Sequence, residues 1–354
     1  MSINFEHPPQ SICILRLSAI GDISHTLPAI RTIQKNWPDT KLTWVIGKTE
    51  YSLVADIDNI NFIVFDKNKK ISSYTQVKQQ LSDQSFDVLL HMQMSLRASI
   101  ISLFIKAKYK IGFDRQRAKD LQWLFTNVKI EYKPRQHVVD SFFCFTEALG
   151  IDEHVINWDI PVDDRAIKSA NAMLPKEKPI LVISPCSSMA YRNWLIDRYA
   201  TVADYAIEKH NMTVVITGGP SSIEKYYADE IYSLCKHTVT NLVGKTTLKE
   251  LLVILKQAAI VISPDAGPAH LATAVKTPVL GLYAATNPDR ARAYLSKDFV
   301  VNKYPEAVKE KLGVSVDKVV WGTRIRDAGT MARITTKEVT NTLDRMMQNK
   351  LKPV

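Results

Sequence analysis

VISPDAGPAHLATA, residues Val261 to Ala274, opens on an apolar, β-branched run and closes on a helical one, with a turn of unusual chemistry between. Asp265 ends the strand-like part. Gly267 lets backbone come close to a ligand, Pro268 suits a first helical turn, and His270 falls in that turn. A buried strand running into a helix N-terminus is half of a βαβ unit, and its exposed amides and dipole suit an anion. Asp265 as a plain helix cap and His270 as a satisfied core histidine are the simpler readings of each residue alone.

Working outward, the same alternation recurs along the chain. Strands are expected at Ile12 to Leu17, Leu42 to Val45, Phe62 to Phe65, Val88 to His91 and near Ile111. They resume at Ile180 to Ser184, Thr213 to Thr217, Asn241 to Val243, Ala259 to Ser263 and Val279 to Tyr283. Thr26 to Asn36, Gln76 to Leu81 and Asp140 to Leu149 read as helices, the last stopped by Gly150. Residues 151–164, with Pro161 before Asp163 and Asp164, read as a linker. The pattern predicts an α/β chain of two similar domains, 1–160 and 161–335, each with a parallel sheet, facing each other across a cleft. A last helical segment, Thr336 to Asn349, lies beyond them, and no sequence repeat relates the halves.

Ligands of such sheets sit beyond the carboxyl ends of the strands, so the loops there carry the candidates. RLSAIGDISHTLPAI, Arg16 to Ile30, puts Gly21 in a tight turn and Asp22 at a helix mouth, as a cap or as a carboxylate base. ISPCSSMAYRNW offers Ser187, Ser188 and Arg192 ahead of a helix, groups that favour phosphate. ITGGPSSIEK places Gly218 and Gly219, and LVGKTTLKELL places Gly244 and Lys245, after further strands. No G-x-G-x-x-G and no Walker-type P-loop occurs, which disfavours a dehydrogenase and an ATP hydrolase. No His or Asp cluster has metal-ligand spacing, so no metal is expected.

The 354 residues are 46% hydrophobic and 23% charged, as in a packed globular protein. The longest apolar runs are too short to span a bilayer, and MSINFEHPPQ does not read as a signal peptide. Four scattered cysteines give neither a zinc ribbon nor a disulfide framework, and fit a reducing cytoplasm. The net charge of +10 calls for anionic partners, with much of the excess between Lys106 and Arg135. No DNA-binding module accompanies it, so nucleic acid is not expected.

Taken together, ILRLSAIGDISHTLPAI, IGFDRQRAKD, HVVDSFFCFTEALG, ISPCSSMAYRNW, NLVGKTTLKELLVIL, ISPDAGPAHLATAV and PVLGLYAATNPDR resemble, in order and across both halves, the bacterial lipopolysaccharide heptosyltransferases of glycosyltransferase family 9. GKTEYSLV and VISPCSS resemble the heptosyltransferase I branch that acts on Kdo or phosphorylated Kdo. The resemblance implies the GT-B architecture of two facing Rossmann-like domains. It further implies an inverting transfer of L-glycero-D-manno-heptose from ADP-heptose to the Kdo of lipid A, without a resident cofactor.

Asp22 falls on the catalytic position. The donor would meet Ser187, Ser188, Arg192 (where a lysine is usual), Lys245, Asp265, Ala266 (where Ser or Thr is common), Gly267 and His270 in the second domain. The acceptor would meet Arg16, Ser18, Arg97, Arg115, Arg117 and Lys119 in the first. The terminal helix, 336–354, is expected to return to the first domain. A cytoplasmic monomer held peripherally at the anionic inner membrane follows from the resemblance. Its alternatives are another heptose step or sugar nucleotide, or a sugar-nucleotide epimerase on the same fold.

Overall fold

The computed structural model describes residues 3, 5–175 and 177–350. The chain divides into two compact units, Met1–Pro161 and Val162–Val354. The first is built on β1 (Ser11–Leu15), β2 (Lys41–Gly47), β3 (Ile60–Phe65), β4 (Ser85–His91), β5 (Lys106–Gly112) and β6 (Val128–Lys129). Their order across the sheet is β3-β2-β1-β4-β5-β6, with every pairing parallel.

The second unit holds β7 (Ile180–Ile183), β8 (Thr213–Ile216), β9 (Thr240–Asn241), β10 (Ile260–Pro264), β11 (Val279–Tyr283) and β12 (Val300–Asn302). Their order is β12-β11-β10-β7-β8-β9, again all parallel. Read from its opposite edge, this is the order of the first sheet. In each unit the connections reverse direction between the first and fourth strands, β1 and β4 or β7 and β10, which is where Rossmann-type sheets open a ligand crevice. The α/β, doubly wound expectation therefore holds in both halves.

Central strands such as ILVI, Ile180–Ile183, are buried along their whole length, because crossover helices cover both faces and leave no polar side. That is why they read as β-branched runs rather than as alternation. β6 and β12 are two and three residues long, too short to carry a period, and were not anticipated. Helices begin earlier than their apolar spacing indicated. The one expected from Thr26 starts at Ile20, where Asp22 Oδ2 accepts the Ala19 N–H at 3.3 Å. The helix Val138–Ala148 ends as expected at Gly150, whose φ of +86° suits a residue without Cβ.

One assignment is corrected. The terminal helix, Thr336–Lys350, buries Val339, Leu343 and Met346 in the core of the second unit, beside Tyr199, Val202 and Ala206. Asp344 accepts from Tyr205 Oη at 2.9 Å and sits 2.7 Å from His210 Nε2. The segment expected to return to the first domain packs these apolar residues in the core of the second. Residues 351–354 of that assignment, and 1, 2 and 4 of the N-terminal stretch, lie outside the described residues. Among the described residues no helix is long and apolar enough to cross a membrane.

Candidate active site

In the first unit the turn after β1 is organised by a buried guanidinium. Arg16 Nη2 lies 2.6 Å from Asp22 Oδ2, and its Nη1 donates to Met92 O at 2.6 Å, tying the β1 end to the β4 end across the switch point. Phe142 packs 5.3 Å from the guanidinium carbon. Gln93 completes the tie: its Oε1 accepts from Leu17 N at 2.6 Å and Ser18 N at 3.3 Å, and its Nε2 donates to Ser18 Oγ at 3.4 Å. Asp22 is thus fixed through Oδ2, while its side chain stays 41% exposed and Oδ1 stands 4.0 Å from His25 Nδ1. Oδ2 is taken by Arg16 and the Ala19 N–H, which leaves Oδ1 the freer of the two carboxylate oxygens. Glu50 lies close enough to feel both Arg16 and Asp22, and burial pushes its carboxyl up despite the positive charges of Lys67 and Arg16.

Behind this turn β4 ends on His91, wholly buried and pulled by that burial down to about 3. Gln122 Nε2 lies 3.0 Å from His91 Nδ1 and donates to His91 O at 2.7 Å, which holds the loop after β5 against the β4 end. Exposed cations stand on the loops of this carboxyl edge. Arg97 follows β4, its guanidinium 6.0 Å from the Phe65 ring at the end of β3. Arg115 stacks over Trp123 at 4.8 Å, and Lys119 is exposed beyond it. Lys67, Lys69 and Lys70, which the sequence reading passed over, follow β3 and are exposed on the same edge.

Two expectations for the acceptor side, Arg117 and Arg16, are revised, and the basic stretch between Lys106 and Arg135 is divided. Arg117 binds Asp114, donates through Nη1 to Gln136 Oε1 at 2.8 Å and Ser141 Oγ at 2.9 Å, and through Nη2 to Glu131 O at 2.6 Å; it staples the loop. Arg16 is a buried partner of Asp22 rather than a free cation. Lys106 and Lys108 open β5 and so stand at the amino edge of the sheet, away from the loops that carry Arg115 and Lys119. The basic stretch is therefore two surfaces, not one patch.

The second unit repeats the plan with a different cluster. Asp265, at the end of β10, is buried, and its Oδ2 lies 3.2 Å from Arg192 Nη1. The same nitrogen donates to Asp265 O at 3.2 Å, and His270 Nε2 stands 3.9 Å from Oδ1. Burial works to raise the Asp265 carboxyl, but the His270 imidazole, the Arg192 charge and the Thr286 hydroxyl hold it below its ordinary value. The N-cap of the helix Gly267–Ala274 is Ala266, which makes no side-chain cap bond, so Asp265 serves the cluster rather than the helix.

Ser187 is buried and donates its N–H to Asn193 Oδ1 at 2.7 Å, while Ser188 is exposed. Lys245, on the loop after β9, turns its Nζ to Asn241 O at 2.8 Å. Burial pushes Cys186 up to about 12, in keeping with a filler rather than a nucleophile. Thr286, Asn193 and Tyr191 were not singled out from sequence as site residues. Their signal was position alone, Tyr191 and Asn193 in the loop after β7 and Thr286 in the loop after β11. Among the described residues, no group of three or more His, Cys, Asp or Glu is placed to hold a metal ion.

The sequence and the fold of the two Rossmann-type units have known counterparts. The Glycosyltransferase family 9 (heptosyltransferase) profile matches residues 74–318. The chain belongs to this family.

It is 40% identical over 342 residues to the lipopolysaccharide core heptosyltransferase OpsX of Haemophilus influenzae, covering 97% of this chain and 98% of that one. The fold is shared with Escherichia coli heptosyltransferase WaaC solved with ADP, at a TM-score of 0.70 and 17% identity over 95% of this chain and 99% of that one. It is shared also with WaaC solved with ADP-2-deoxy-2-fluoro heptose, at 0.69 and 17% over the same shares. As a family 9 member the chain is a glycosyltransferase, a heptosyltransferase of the lipopolysaccharide core, of GT-B architecture. The epimerase alternative has no support from the family match.

Proposed function

We propose that the chain transfers L-glycero-D-manno-heptose from ADP-heptose to the Kdo of lipid A, with inversion, the second unit holding the donor and the first the acceptor. The observation that carries the reading is Asp22, a carboxylate fixed by Arg16 at 2.6 Å yet open to solvent. The acceptor hydroxyl oxygen attacks the anomeric carbon, the bond from that carbon to the β-phosphate oxygen breaks, and the hydroxyl proton passes to Asp22. ADP leaves with the bonding electron pair. The growing negative charge meets Arg192 and the amides that open the helix Gly267–Ala274.

A phosphorylated Kdo fits the cations Arg97, Arg115 and Lys119, and the same side chains favour a peripheral position on an anionic cytoplasmic membrane face. The test is ADP release by the purified chain supplied with ADP-heptose, with and without Kdo-lipid A, in buffer containing EDTA. Release that needs both substrates and persists in EDTA is expected. Release without an acceptor, or transfer from a different nucleotide sugar in preference, would sink the reading.

A further inference from the structure

Segment 324–326 returns to the second sheet late in the chain. Arg324 bridges antiparallel to Thr286, and Ile325 N donates to Ala285 O at 2.9 Å. In extended backbone, side chains alternate between faces. Ile325 is buried in a cluster with Tyr304, Ala307 and Val308, so Arg324 and Arg326 turn the other way. Thr286, their neighbour across the bridge, is the residue whose hydroxyl helps hold Asp265 ionised.

The Arg326 guanidinium reaches the Tyr191 ring at 5.8 Å, and Arg192 reaches the same ring at 5.6 Å. One aromatic therefore gathers two cations, and only one of them is balanced. Arg192 has Asp265 at 3.2 Å. Among the described residues no hydrogen bond or ion pair engages the Arg326 side chain, and the adjacent Asp327 is taken by Lys311 at 3.7 Å. Two buried polar atoms here, Tyr191 Oη and Arg192 Nε, also have no hydrogen-bond partner. A loop whose charge exceeds its acids, with unused donors facing a shared ring, is completed by an anion carrying several acceptor oxygens.

We propose that Arg326 is a second guanidinium of the donor site and engages the diphosphate of the nucleotide sugar together with Arg192. The proposal rests on the donor reading above, and goes beyond it by adding a specificity residue from a distant part of the chain. Its exposed head is solvated until the diphosphate arrives, so it costs the free protein little, and the Tyr191 ring limits where it can lie.

The test is calorimetric titration of the full chain with ADP and, separately, with adenosine, for the unchanged protein, Arg326→Ala and Arg326→Lys, with melting curves run beside them. Arg326→Ala is expected to weaken ADP about 10-fold or more, as loss of one charge-assisted contact does, with adenosine binding and melting unchanged. Arg326→Lys is expected to recover part of the loss, since it keeps the charge but not the fork. ADP affinity unaltered in Arg326→Ala would overturn the proposal, as would an equal loss for adenosine, which would put the side chain on the nucleoside. An unchanged protein that does not bind ADP at all would instead overturn the donor reading, and the proposal with it.

Discussion

Asp22 and Arg192 are both held in ion pairs, and the pairs differ in what depends on them. The Asp22 carboxylate is 41% exposed, but removing it leaves the buried Arg16 guanidinium with Met92 O as its remaining partner and frees the Ala19 N–H, so the change also costs some stability. Asp22→Ala is expected to lower kcat by about 100- to 10,000-fold, the range for a positioned general base, with ADP affinity unchanged. Turnover near normal in that variant would leave Asp22 as a helix cap. Arg192 is the reverse case, because Asp265 is buried behind it. Arg192→Ala strands a desolvated carboxylate and is expected to destabilise the fold by about 3–5 kcal/mol. Arg192→Lys keeps the charge and should fold, with a raised donor KM because an ammonium lacks the planar fork. Melting temperature and donor KM measured on both variants separate the two effects.

Among the elements, β4 carries the clearest pH dependence. His91 is held neutral, with burial lowering it from an ordinary 6.5 to about 3. Between those values the unfolded chain takes up a proton that the folded one refuses, so stability falls as pH drops below about 6.5 and keeps falling toward 3. The slope for one such group is about 1.4 kcal/mol per pH unit. His91→Asn removes the titrating ring, so its unfolding free energy between pH 6 and 4 is expected to fall less steeply than that of the unchanged chain. Parallel slopes would mean that His91 is protonated in the fold.

The strands were legible because parallel strands covered on both faces can hardly avoid β-branched runs, and Gly150 and Pro268 mark helix ends by their backbone geometry. The side-chain ties were not. Arg117 meets Asp114, Glu131 and Gln136 in irregular segments and Ser141 in the helix Val138–Ala148, partners that no period links. Arg326 lies in VWGTRIRD, where only the sheet pairing of Ile325 reveals which way its neighbours point. The terminal helix was legible as a helical segment, but its pattern alone does not name the surface that covers it.

For the molecule as a whole, sheet direction sorts the excess positive charge. Lys106 opens β5 and Lys108 is its third residue, so roughly 20 Å and 13 Å of strand lie between them and the end of β5 that leads to Arg115 and Lys119. Neutralising Arg97, Arg115 and Lys119 together is expected to raise the acceptor KM well above any change in donor KM. Neutralising Lys106 and Lys108 is expected to change neither. Steady-state kinetics with phosphorylated and dephosphorylated acceptor decides this, and equal effects from both groups would mean that only overall charge matters.

The docking of Thr336–Lys350 into the second unit sets an order of events on the ribosome. Every strand and core helix of the first unit has been made once Pro161 is added, so that unit can leave the exit tunnel and fold while synthesis continues. The second cannot seal itself until Val339, Leu343 and Met346 emerge. From the end of β12 at Asn302 to Met346 is 44 residues, which at roughly 5–20 residues per second take about 2–9 seconds to translate. During that interval the nascent second sheet carries an uncovered apolar face, the surface that holding chaperones bind. A message truncated before codon 336 would yield a chain with a sound first half and a permanently open second, marked for degradation rather than for partial activity.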